Sequence, residues 1–431
     1  MIPAGLSFFF RHAGQLLTLS GPPVPRRGPD LGELGILRDG AVLTRGPIIV
    51  GVGRTRDLDA EARRMKARAI DCRGRVVMPG FVDSHTHLVF AGSRVDDFEE
   101  RLRGRTYEEI AASGGGITLS ARLLGEASTR ELCARACHFL EQLAAHGTTT
   151  VEVKTGYGLS AANEMKTLRA IERIRKQSPL EIVPTLLAAH AVPAQYRKRP
   201  RAYIDLLARR LMPEVAKNRL AEFIDCFCER VAFSVADCRR ALQAGLRHGL
   251  IPRLHAEQLS RTGGARLAID LDAASADHLD HVNRSDIRAL ARSGVVATLV
   301  PGANFHLGLG AYPPARRLIE AGAAVALATD FNPGTSPTLN MQFVLALACS
   351  ALRMTPAEAI SAATINAAYS LRRADRLGSL EPGKQADLAV MEVDDYRKIP
   401  YYFAWNHCVM TVKRGWIIYA QDRLGVSGIV S

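Results

Sequence analysis

The chain lacks the features that would mark it as a membrane protein or a secreted one. Within its 431 residues, no stretch reaches the roughly 18 uncharged apolar residues that a membrane helix requires. The first residues, MIPAGLSFFFRHAG, have only a brief apolar run with no basic segment before it, so we expect no signal peptide. The eight cysteines include no CxxC pair, which favours buried thiols in a reducing compartment over disulfides or a zinc ribbon. We therefore expect a cytoplasmic protein.

A long basic tract with interleaved aromatic residues is also lacking, although the net charge is +13. The basic residues form short clusters such as RRMKAR, YRKRPR and PARRL, which are scattered over predicted helices. Solvated helix faces explain such clusters better than a nucleic-acid surface does. We expect neither nucleic acid nor a membrane as a partner.

From residue 77 onward, strand-like runs and helix-like stretches alternate regularly along the sequence. Between the strand-like runs lie amphipathic stretches such as ANEMKTLRAIERIRKQS. Near-continuous apolar strands in this alternation predict a parallel sheet, and eight units predict a closed (β/α)₈ TIM-like barrel. A doubly wound open sheet is the structural alternative. The eight runs are VVMPGFVDSHTH, TTTVEVKTGY, LEIVPTLLAAH, EFIDCFCE, LIPRLHAEQ, AASADHLD, VVATLVPGANF and AAVALATDFNPG.

The two ends of the chain have a different pattern. Residues 1–76 and 385–431 contain short strands with turn signals and no long helix. Because both segments flank the predicted barrel at residues 77–384, we expect them to pair into one small β-sandwich domain. The stretch SGPPVPRRGPD, residues 20–30, is predicted to be a loop within that small domain.

Polar residues gather where the predicted barrel strands end, which is where barrels of this type carry their catalytic residues. In FVDSHTHLVFAG, strand alternation makes His85 and His87 point the same way, with Thr86 opposite. A single histidine is more often an ordinary core or surface residue, but five at successive strand ends make coincidence a poor explanation. The later strand ends carry Lys154, Tyr157, His190, Glu229, His255, His278, Asp330 and Asn332.

This set of side chains suits metal-assisted hydrolysis of a C–N bond. Three imidazoles and a carboxylate suit Zn²⁺ or Fe²⁺, with room for a water molecule. Such an ion lowers the pKa of its water from about 15.7 towards 7. Asp330 beside that water would take its proton and pass it to a leaving nitrogen, while His278 would polarise the carbonyl under attack.

The motifs together resemble the amidohydrolase superfamily over nearly the whole chain. The HTH motif, the later strand-end histidines, ATD on the eighth strand and LGSLEPGKQADLAV near the end are similar to its pattern. Within the superfamily, KTGYGL and DFNPGTSPT are similar to members that open a cyclic amide. The resemblance implies a homodimer that acts on a small molecule. It also implies one divalent or trivalent metal ion, Zn²⁺ or iron, held by His85, His87, His255 and Asp330.

The same resemblance implies a substrate pocket for a ring that carries a carboxylate. Arg94 would bind that carboxylate through its planar guanidinium, and His278 would position the attacked carbonyl. Some of these residues have plain alternatives, since Arg94 could be a solvated loop arginine and Gly334 could serve only the turn. The glycines at 114–116 are not followed by GK[ST], so we expect a flexible active-site loop rather than a phosphate loop. The other pocket residues would be Tyr157, His190, Asn332, Gly334, Thr335 and Tyr107, the last of which could instead be a packing residue.

Two departures from the family pattern narrow the chemistry. Some members have a glutamate three residues after the fifth-strand histidine, whereas this chain has HAEQ, which puts Gln258 there and the acid at Glu257. A glutamine can bind the ring through hydrogen bonds but cannot act as an acid or base. The second hypothesis is another cyclic-amide or amidine hydrolase or a deaminase on the same scaffold, and Gln258 disfavours the deaminase. The fourth strand, EFIDCFCE, has no lysine to bridge two ions, so one ion is expected. Lys154 is expected either to have a structural role or to support the metal ligands from behind. A non-catalytic scaffold, the third hypothesis, would usually have lost metal ligands.

Overall fold

The structure is a computed structural model that describes residues 6–106, 109–110 and 113–421. Within that part of the chain, no helix is long and apolar enough to cross a membrane. The strands, numbered in chain order, are β1 (Phe8–Ala13), β2 (Gln15–Leu17), β3 (Ile36–Leu37), β4 (Gly40–Arg45), β5 (Ile48–Arg54), β6 (Arg68–Asp71), β7 (Val76–Pro79), β8 (Phe81–Asp83), β9 (Thr148–Lys154), β10 (Glu181–Ala189), β11 (Phe223–Cys228), β12 (Ile251–Ala256), β13 (Ser275–His278), β14 (Val296–Leu299), β15 (Val325–Leu327), β16 (Leu388–Met391), β17 (Cys408–Lys413) and β18 (Trp416–Ala420).

Most helices cover the outside of the barrel and join its strands, whereas Thr55–Arg64 packs on the four-stranded sheet of the small sandwich. Several begin with a side-chain cap, for example Ser128, whose hydroxyl accepts a hydrogen bond from the Glu131 N–H. The α-helices are Thr55–Arg64, Val95–Leu102, Gly116–Glu126, Thr129–Ala145, Ala161–Gln177, Pro200–Leu206, Met212–Lys217, Val235–Arg247, Gly264–Asp270, Arg284–Ala291, Pro301–Leu307, Ala315–Glu320, Met341–Ser350, Pro356–Ala362, Ile365–Ser370 and Lys398–Tyr401. A π-helical turn at Leu207–Leu211 and short 3₁₀ turns at Gly28–Gly32 and Ala194–Tyr196 complete the set.

The predicted barrel is confirmed. Strands β8 to β15 form one eight-stranded sheet in chain order, and every neighbouring pair is parallel. The backbone that follows β15 closes it, because the Asp330 N–H donates to the His85 carbonyl at 3.0 Å and the His87 N–H donates to the Phe331 carbonyl at 2.8 Å. The closing contacts therefore lie at the segment that carries the predicted metal ligands.

The run VVMPGFVDSHTH was predicted to be one strand of the barrel, and that prediction is wrong. It divides at Gly80 into β7, which pairs with β2 and β16, and β8, which is the first barrel strand. A Cβ on Gly80 would lie 2.6 Å from Oγ1 of Thr149, so only glycine allows the chain to pass this close to β9. Apolar periodicity does not distinguish one long strand from two that enter different sheets.

A small β-sandwich from both termini is confirmed. A four-stranded sheet (β5-β4-β1-β6) packs on a six-stranded sheet (β18-β17-β16-β7-β2-β3), and one hydrophobic cluster joins Phe8 and Phe10 of the first to Leu16, Leu388 and Met410 of the second. The boundaries at residues 76/77 and 384/385 stay predictions. The helix Thr55–Arg64 in the N-terminal segment was not expected, because the stretch is short and mostly charged, with Leu58 and two alanines as its apolar residues.

The stretch at residues 20–30 does not lie within the sandwich, so that prediction is wrong. The Arg27 guanidinium donates to the carbonyls of Ala291 and Gly322 at 3.0 Å and of Ser293 at 2.8 Å. Arg27 also forms an isolated β-bridge with Ala324, just before β15. The segment therefore packs on the end of the barrel where the strands begin, opposite to the predicted site. Local turn chemistry could not reveal this tertiary partner.

Candidate active site

The five residues of the predicted metal and catalytic set meet at one point. His85 and His87 follow β8, His255 lies in β12, His278 ends β13 and Asp330 follows β15. All five are buried. The Nε2 atoms of His85 and His87 each lie 3.4 Å from Oδ1 of Asp330, and Nε2 of His255 lies 3.5 Å from Nε2 of His87.

The donor atoms in this cluster fit a metal ion. His85, His87 and Asp330 offer ligand atoms within 4.8 Å of one another, and so do His85, His255 and His278. Nε2 of His85 is buried and has no hydrogen-bond partner among the described residues, a state that is rare unless an ion or water satisfies it. Imidazole and carboxylate together form the donor set of mononuclear hydrolytic sites.

Two carboxylates that the sequence analysis missed orient two of these histidines. Oδ2 of Asp277 accepts a hydrogen bond from Nδ1 of His85 at 2.7 Å, and Oδ2 of Asp225 lies 3.0 Å from Nδ1 of His255. The other Asp225 oxygen accepts the His255 backbone N–H at 3.1 Å. A carboxylate on Nδ1 fixes the ring and leaves Nε2 for a metal. The available signal was an acid within an apolar strand, as in FIDCF and AASADH.

Beneath the cluster the barrel interior is ionic. Nζ of Lys154 donates to Oε1 of Glu152 at 2.8 Å and to Oδ2 of Asp225 at 2.9 Å, and lies 3.8 Å from Oδ2 of Asp277. Arg253 approaches the same Asp277 oxygen at 3.4 Å. Burial alone would lower the pKa of Lys154, but Asp225 and Glu152 raise it above its ordinary value, so the ammonium stays charged.

Burial and neighbouring groups set the protonation of the cluster. Burial alone would raise the pKa of Asp330, but His85 and His87 hold it well below its ordinary value, so this carboxylate is ionised. Burial lowers the pKa of His278 well below its usual value and that of His87 to about 4. Both rings are therefore neutral near pH 7, and a neutral imidazole is the form that binds a metal or donates one N–H.

Strained backbone also marks this point of the barrel. His278 has φ 78° and Asp330 has φ 52°, in the left-handed region that residues with a side chain rarely adopt. Such conformations cost about 1–3 kcal/mol each and persist where the surroundings fix them. Next to Asp330, the Asp83 carboxylate accepts hydrogen bonds from the N–H and the hydroxyl of Thr329. The barrel thus holds Asp330 in an unfavourable conformation that aims it at the histidines.

Tyr157 and His190 lie beside the cluster, and their role as walls of a substrate pocket stays a prediction. The His190 ring stacks on the His87 ring, with centroids 5.0 Å apart and planes at 17°. The Tyr157 ring lies 5.8 Å from the same histidine. The loop that carries Tyr157 is held by the buried carboxylate of Glu164, which accepts the N–H groups of Gly156, Gly158 and Leu159.

Arg94 and Gly334 meet at the mouth of the barrel. Nε of Arg94 donates to Oδ2 of Asp97 at 2.7 Å, and that oxygen also accepts the Gly116 N–H at 2.9 Å. Only 10% of the Arg94 side chain is exposed, so a solvated loop arginine is excluded. Since Gly116 begins the helix Gly116–Glu126, the three glycines form a helix start tied to Arg94. The sequence analysis missed Asp97.

The loop after β15 is built around Asn332. Its Nδ2 donates to the Asp330 carbonyl at 2.7 Å and to Oγ1 of Thr335 at 2.8 Å. Its Oδ1 accepts the N–H groups of Gly334 and Thr335 at 2.8 and 2.7 Å. The amide of Asn332 therefore shapes the loop, and contacts of this loop with a substrate stay a prediction. The predicted pocket residue Tyr107 lies outside the described residues.

The HAEQ segment supplies no acid to the pocket. The buried Glu257 carboxylate accepts three backbone N–H groups, those of Thr262, Gly263 and Ala265, at 2.6, 2.9 and 3.1 Å. Gln258 is only partly buried at the end of β12. Glu257, which is next to the position of the family's glutamate, therefore binds the backbone at the start of the helix Gly264–Asp270.

The family assignment follows from comparison of this chain with known proteins. The amidohydrolase family model matches residues 76–418. Among solved structures, a triazine hydrolase variant has a TM-score of 0.73 at 19% identity and covers 98% of this chain and 97% of its own. A variant of atrazine chlorohydrolase from Arthrobacter aurescens, complexed with zinc and atraton, has a TM-score of 0.67 at 19% identity over 97% and 98%. At this identity the likeness shows the fold alone. The chain belongs to the amidohydrolase family.

Curated relatives are more similar to this chain than those structures are, and they show to which branch of the family it belongs. An imidazolonepropionase of Chloroflexus aggregans is 46% identical over 420 residues, which are 95% of this chain and 98% of the relative. An imidazolonepropionase of Brevibacillus brevis is 42% identical over 419 residues, 96% and 99% of the two chains. Because the similarity spans nearly the full length of both chains, the branch is that of the imidazolonepropionases.

Proposed function

We propose that this protein hydrolyses 4-imidazolone-5-propanoate to N-formimidoyl-L-glutamate, the third step of histidine degradation. The observation that carries the proposal is that the buried histidine–aspartate cluster and Arg94 lie on one barrel end, in a chain that resembles imidazolonepropionases over nearly its full length. The substrate is a small molecule with a cyclic amide and a carboxylate, which the cluster and the guanidinium would each recognise.

The metal is proposed to be a single Zn²⁺ or iron ion held by His85, His87, His255 and Asp330. An ion of this kind, when bound, acidifies a water molecule and polarises a carbonyl. The Nδ1 contacts of His85 and His255 with their aspartates leave both Nε2 atoms for the ion. His278 is close enough to be a further ligand, but we assign it to the substrate carbonyl.

Asp330 and His278 perform the proton chemistry in this proposal. The ionised Asp330 takes a proton from the attacking water, whose oxygen forms a bond to the lactam carbonyl carbon. The bond between that carbon and the ring nitrogen then breaks, and Asp330 returns the proton to the departing nitrogen. A neutral His278 donates one N–H to the carbonyl oxygen as negative charge develops there. Water is consumed and no redox change occurs.

Arg94 binds the propanoate carboxylate, and the neighbouring side chains fix the ring. The guanidinium is pre-oriented by Asp97 and lies against Gly334, so its remaining N–H groups keep one geometry. Tyr157 and His190 flank the ring next to His87. Gln258 donates or accepts a hydrogen bond at the ring without transferring a proton. The same arrangement disfavours deamination, which needs an acid at that position.

We also propose that the protein works in the cytoplasm as a homodimer. All eight cysteines are unpaired thiols, and six of them are buried, which suits a reducing compartment. Size-exclusion chromatography with light scattering would show a mass near twice that of the 46.8 kDa chain if the dimer forms.

The test is direct turnover. The unstable imidazolone is generated in place from urocanate by urocanase, and mass spectrometry follows formimidoylglutamate with the wild-type protein and with Asp330→Asn. We expect product with the wild type and at least about 100-fold less with the variant, a typical loss for a proton-transfer group. Decay of the imidazolone at the uncatalysed rate with metal-loaded wild-type protein would reject the proposed substrate.

A further inference from the structure

Lys154 occupies the centre of the ionic layer beneath the metal cluster. Alternation along β9 places Glu152 and Lys154 on the same inward face, and both side chains are fully buried. The Lys154 ammonium contacts three carboxylates on three strands: Glu152, Asp225 and Asp277. A fully buried lysine is rare unless it is paired, and here one cation is shared among three acids.

Each of those carboxylates leads to a different part of the cluster. Asp225 binds the ring and the backbone N–H of His255. Asp277 binds the ring of His85. Glu152 accepts the backbone N–H of Thr86 at 3.1 Å through its second oxygen, and Thr86 lies between the two histidines of the HTH motif.

We propose that Lys154 is a positioning residue for the metal centre, which fixes the three carboxylates that orient His85, His255 and the backbone between His85 and His87. A lysine suits this role because its ammonium is a compact charge with three N–H donors, one for each of the three carboxylates. Arg253 is the only other permanent cation described in contact with Asp277, and it reaches none of the other carboxylates in the described contacts. Without Lys154, the carboxylates repel one another and lose their common partner.

The test measures metal affinity, with Zn²⁺ as the probe. Metal-free wild-type protein, Lys154→Met and the control Lys413→Met are titrated with Zn²⁺ against a chelating indicator. Lys413 is also a buried lysine, paired with Asp387 at 2.7 Å and Glu181 at 3.3 Å, but these partners do not touch the cluster. We expect Lys154→Met to bind Zn²⁺ about 10–100-fold more weakly, as for loss of groups that orient metal ligands. Lys413→Met should lose stability and keep the wild-type affinity.

A second variant separates positioning from loss of the fold. Lys154→Met/Glu152→Gln removes one cation and one acid, so the net charge of the buried layer stays that of the wild type. A glutamine at 152 still accepts the Thr86 N–H. We expect the double variant to regain thermal stability relative to Lys154→Met while Zn²⁺ affinity stays low, because Asp225 and Asp277 still lack their common partner. Recovery of wild-type Zn²⁺ affinity in the double variant would overturn the inference.

The inference rests on the proposed metal-dependent function, but different experimental results would reject the function and the inference. A wild-type protein that binds no Zn²⁺ or iron would reject the proposed function and the inference with it. Wild-type affinity in Lys154→Met would overturn the inference alone. Equal weakening in Lys154→Met and Lys413→Met would also overturn it, because the effect would then follow from lost stability.

Discussion

Gly334 and Arg94 are in direct contact: a Cβ on Gly334 would lie 2.6 Å from Cζ of the Arg94 guanidinium. The backbone of Gly334 is not in the left-handed region, so an alanine would be compatible with its conformation. The glycine is therefore required by the arginine rather than by the turn. This contact joins the loop after β15, which carries Asp330, to the proposed carboxylate-binding group.

The first prediction concerns Gly334→Ala. The added methyl group displaces the guanidinium, so KM for the imidazolone propanoate should rise about 10-fold, equal to about 1.4 kcal/mol of substrate binding, while kcat changes less. Gly310→Ala is the matched control, because its Cβ would have nothing within 4 Å. Steady-state kinetics of the two variants checks the prediction, and equal KM values would contradict it.

The second prediction concerns the positive charge of Arg94. Arg94→Ala removes a charge-assisted contact of about 1.5–3 kcal/mol, so kcat/KM should fall about 10–100-fold, mainly through KM. The control is Arg103→Ala, whose exposed side chain pairs only with Glu99 and Glu100 in the described contacts. An unchanged KM in Arg94→Ala would remove the proposed carboxylate site.

The third prediction is the pH dependence of the seam between the two domains. Burial alone would raise the pKa of Glu181, but Lys413, Arg376 and Arg414 lower it to about 2. A carboxyl whose pKa is lowered on folding adds stability above its unfolded pKa and loses it as the pH falls towards the folded value. The contribution, about 3 kcal/mol, should therefore be present above pH 4.5 and be lost towards pH 2.

Urea unfolding of the wild type and Glu181→Gln at several pH values measures the contribution of the Glu181 carboxylate to the free energy of unfolding. The difference in unfolding free energy should be large at pH 7 and narrow steadily below about pH 4.5. The exposed pair of Glu172 with Lys176 gives the control Glu172→Gln, for which little difference is expected at any pH. A Glu181 difference that does not narrow in acid would contradict the assignment.

The fourth prediction concerns the point where the chain leaves the sandwich for the barrel. Gly80→Ala would push a methyl group into Thr149, and overpacking of this kind typically costs about 1–3 kcal/mol. The control is Gly32→Ala, where nothing lies within 4 Å. Thermal unfolding should show a lower Tm for Gly80→Ala and a nearly unchanged Tm for the control. If Gly80→Ala and Gly32→Ala unfolded at the same Tm, the close approach of Gly80 to Thr149 would not limit the residue at this position, which would contradict the prediction.

The barrel, and the grouping of the strand-end histidines with Asp330, could be predicted from the sequence because both depend on local periodicity. Strand alternation placed His85 and His87 on one face, and the rule that parallel strands end together placed His255, His278 and Asp330 beside them. The sequence could not predict where single segments pack. Residues 20–30 have turn composition, yet Arg27 binds the barrel, and Gly80 divides a run that looks like one strand.

The residues that orient the histidines and Arg94 could not be predicted from the sequence for a related reason. Asp225, Asp277 and Asp97 act through partners that are distant in the sequence, and no local pattern shows which acid faces which histidine or arginine. Lys154 was expected to have a structural role or to support the metal ligands, but its three partners appeared only once the strands were aligned. Charged residues within apolar strands are the general signal for such a layer, since they are buried only when paired.

The central claim is that one bound metal ion and this cluster hydrolyse the imidazolone. The most direct measurement titrates metal-free protein with Zn²⁺, and separately with iron, while formimidoylglutamate is followed with imidazolone supplied by urocanase. We predict no product without metal, a rise in rate proportional to bound metal, and a plateau at one ion per chain. Full turnover by metal-free protein, or a metal-loaded protein that leaves the imidazolone to its uncatalysed decay, would contradict the account.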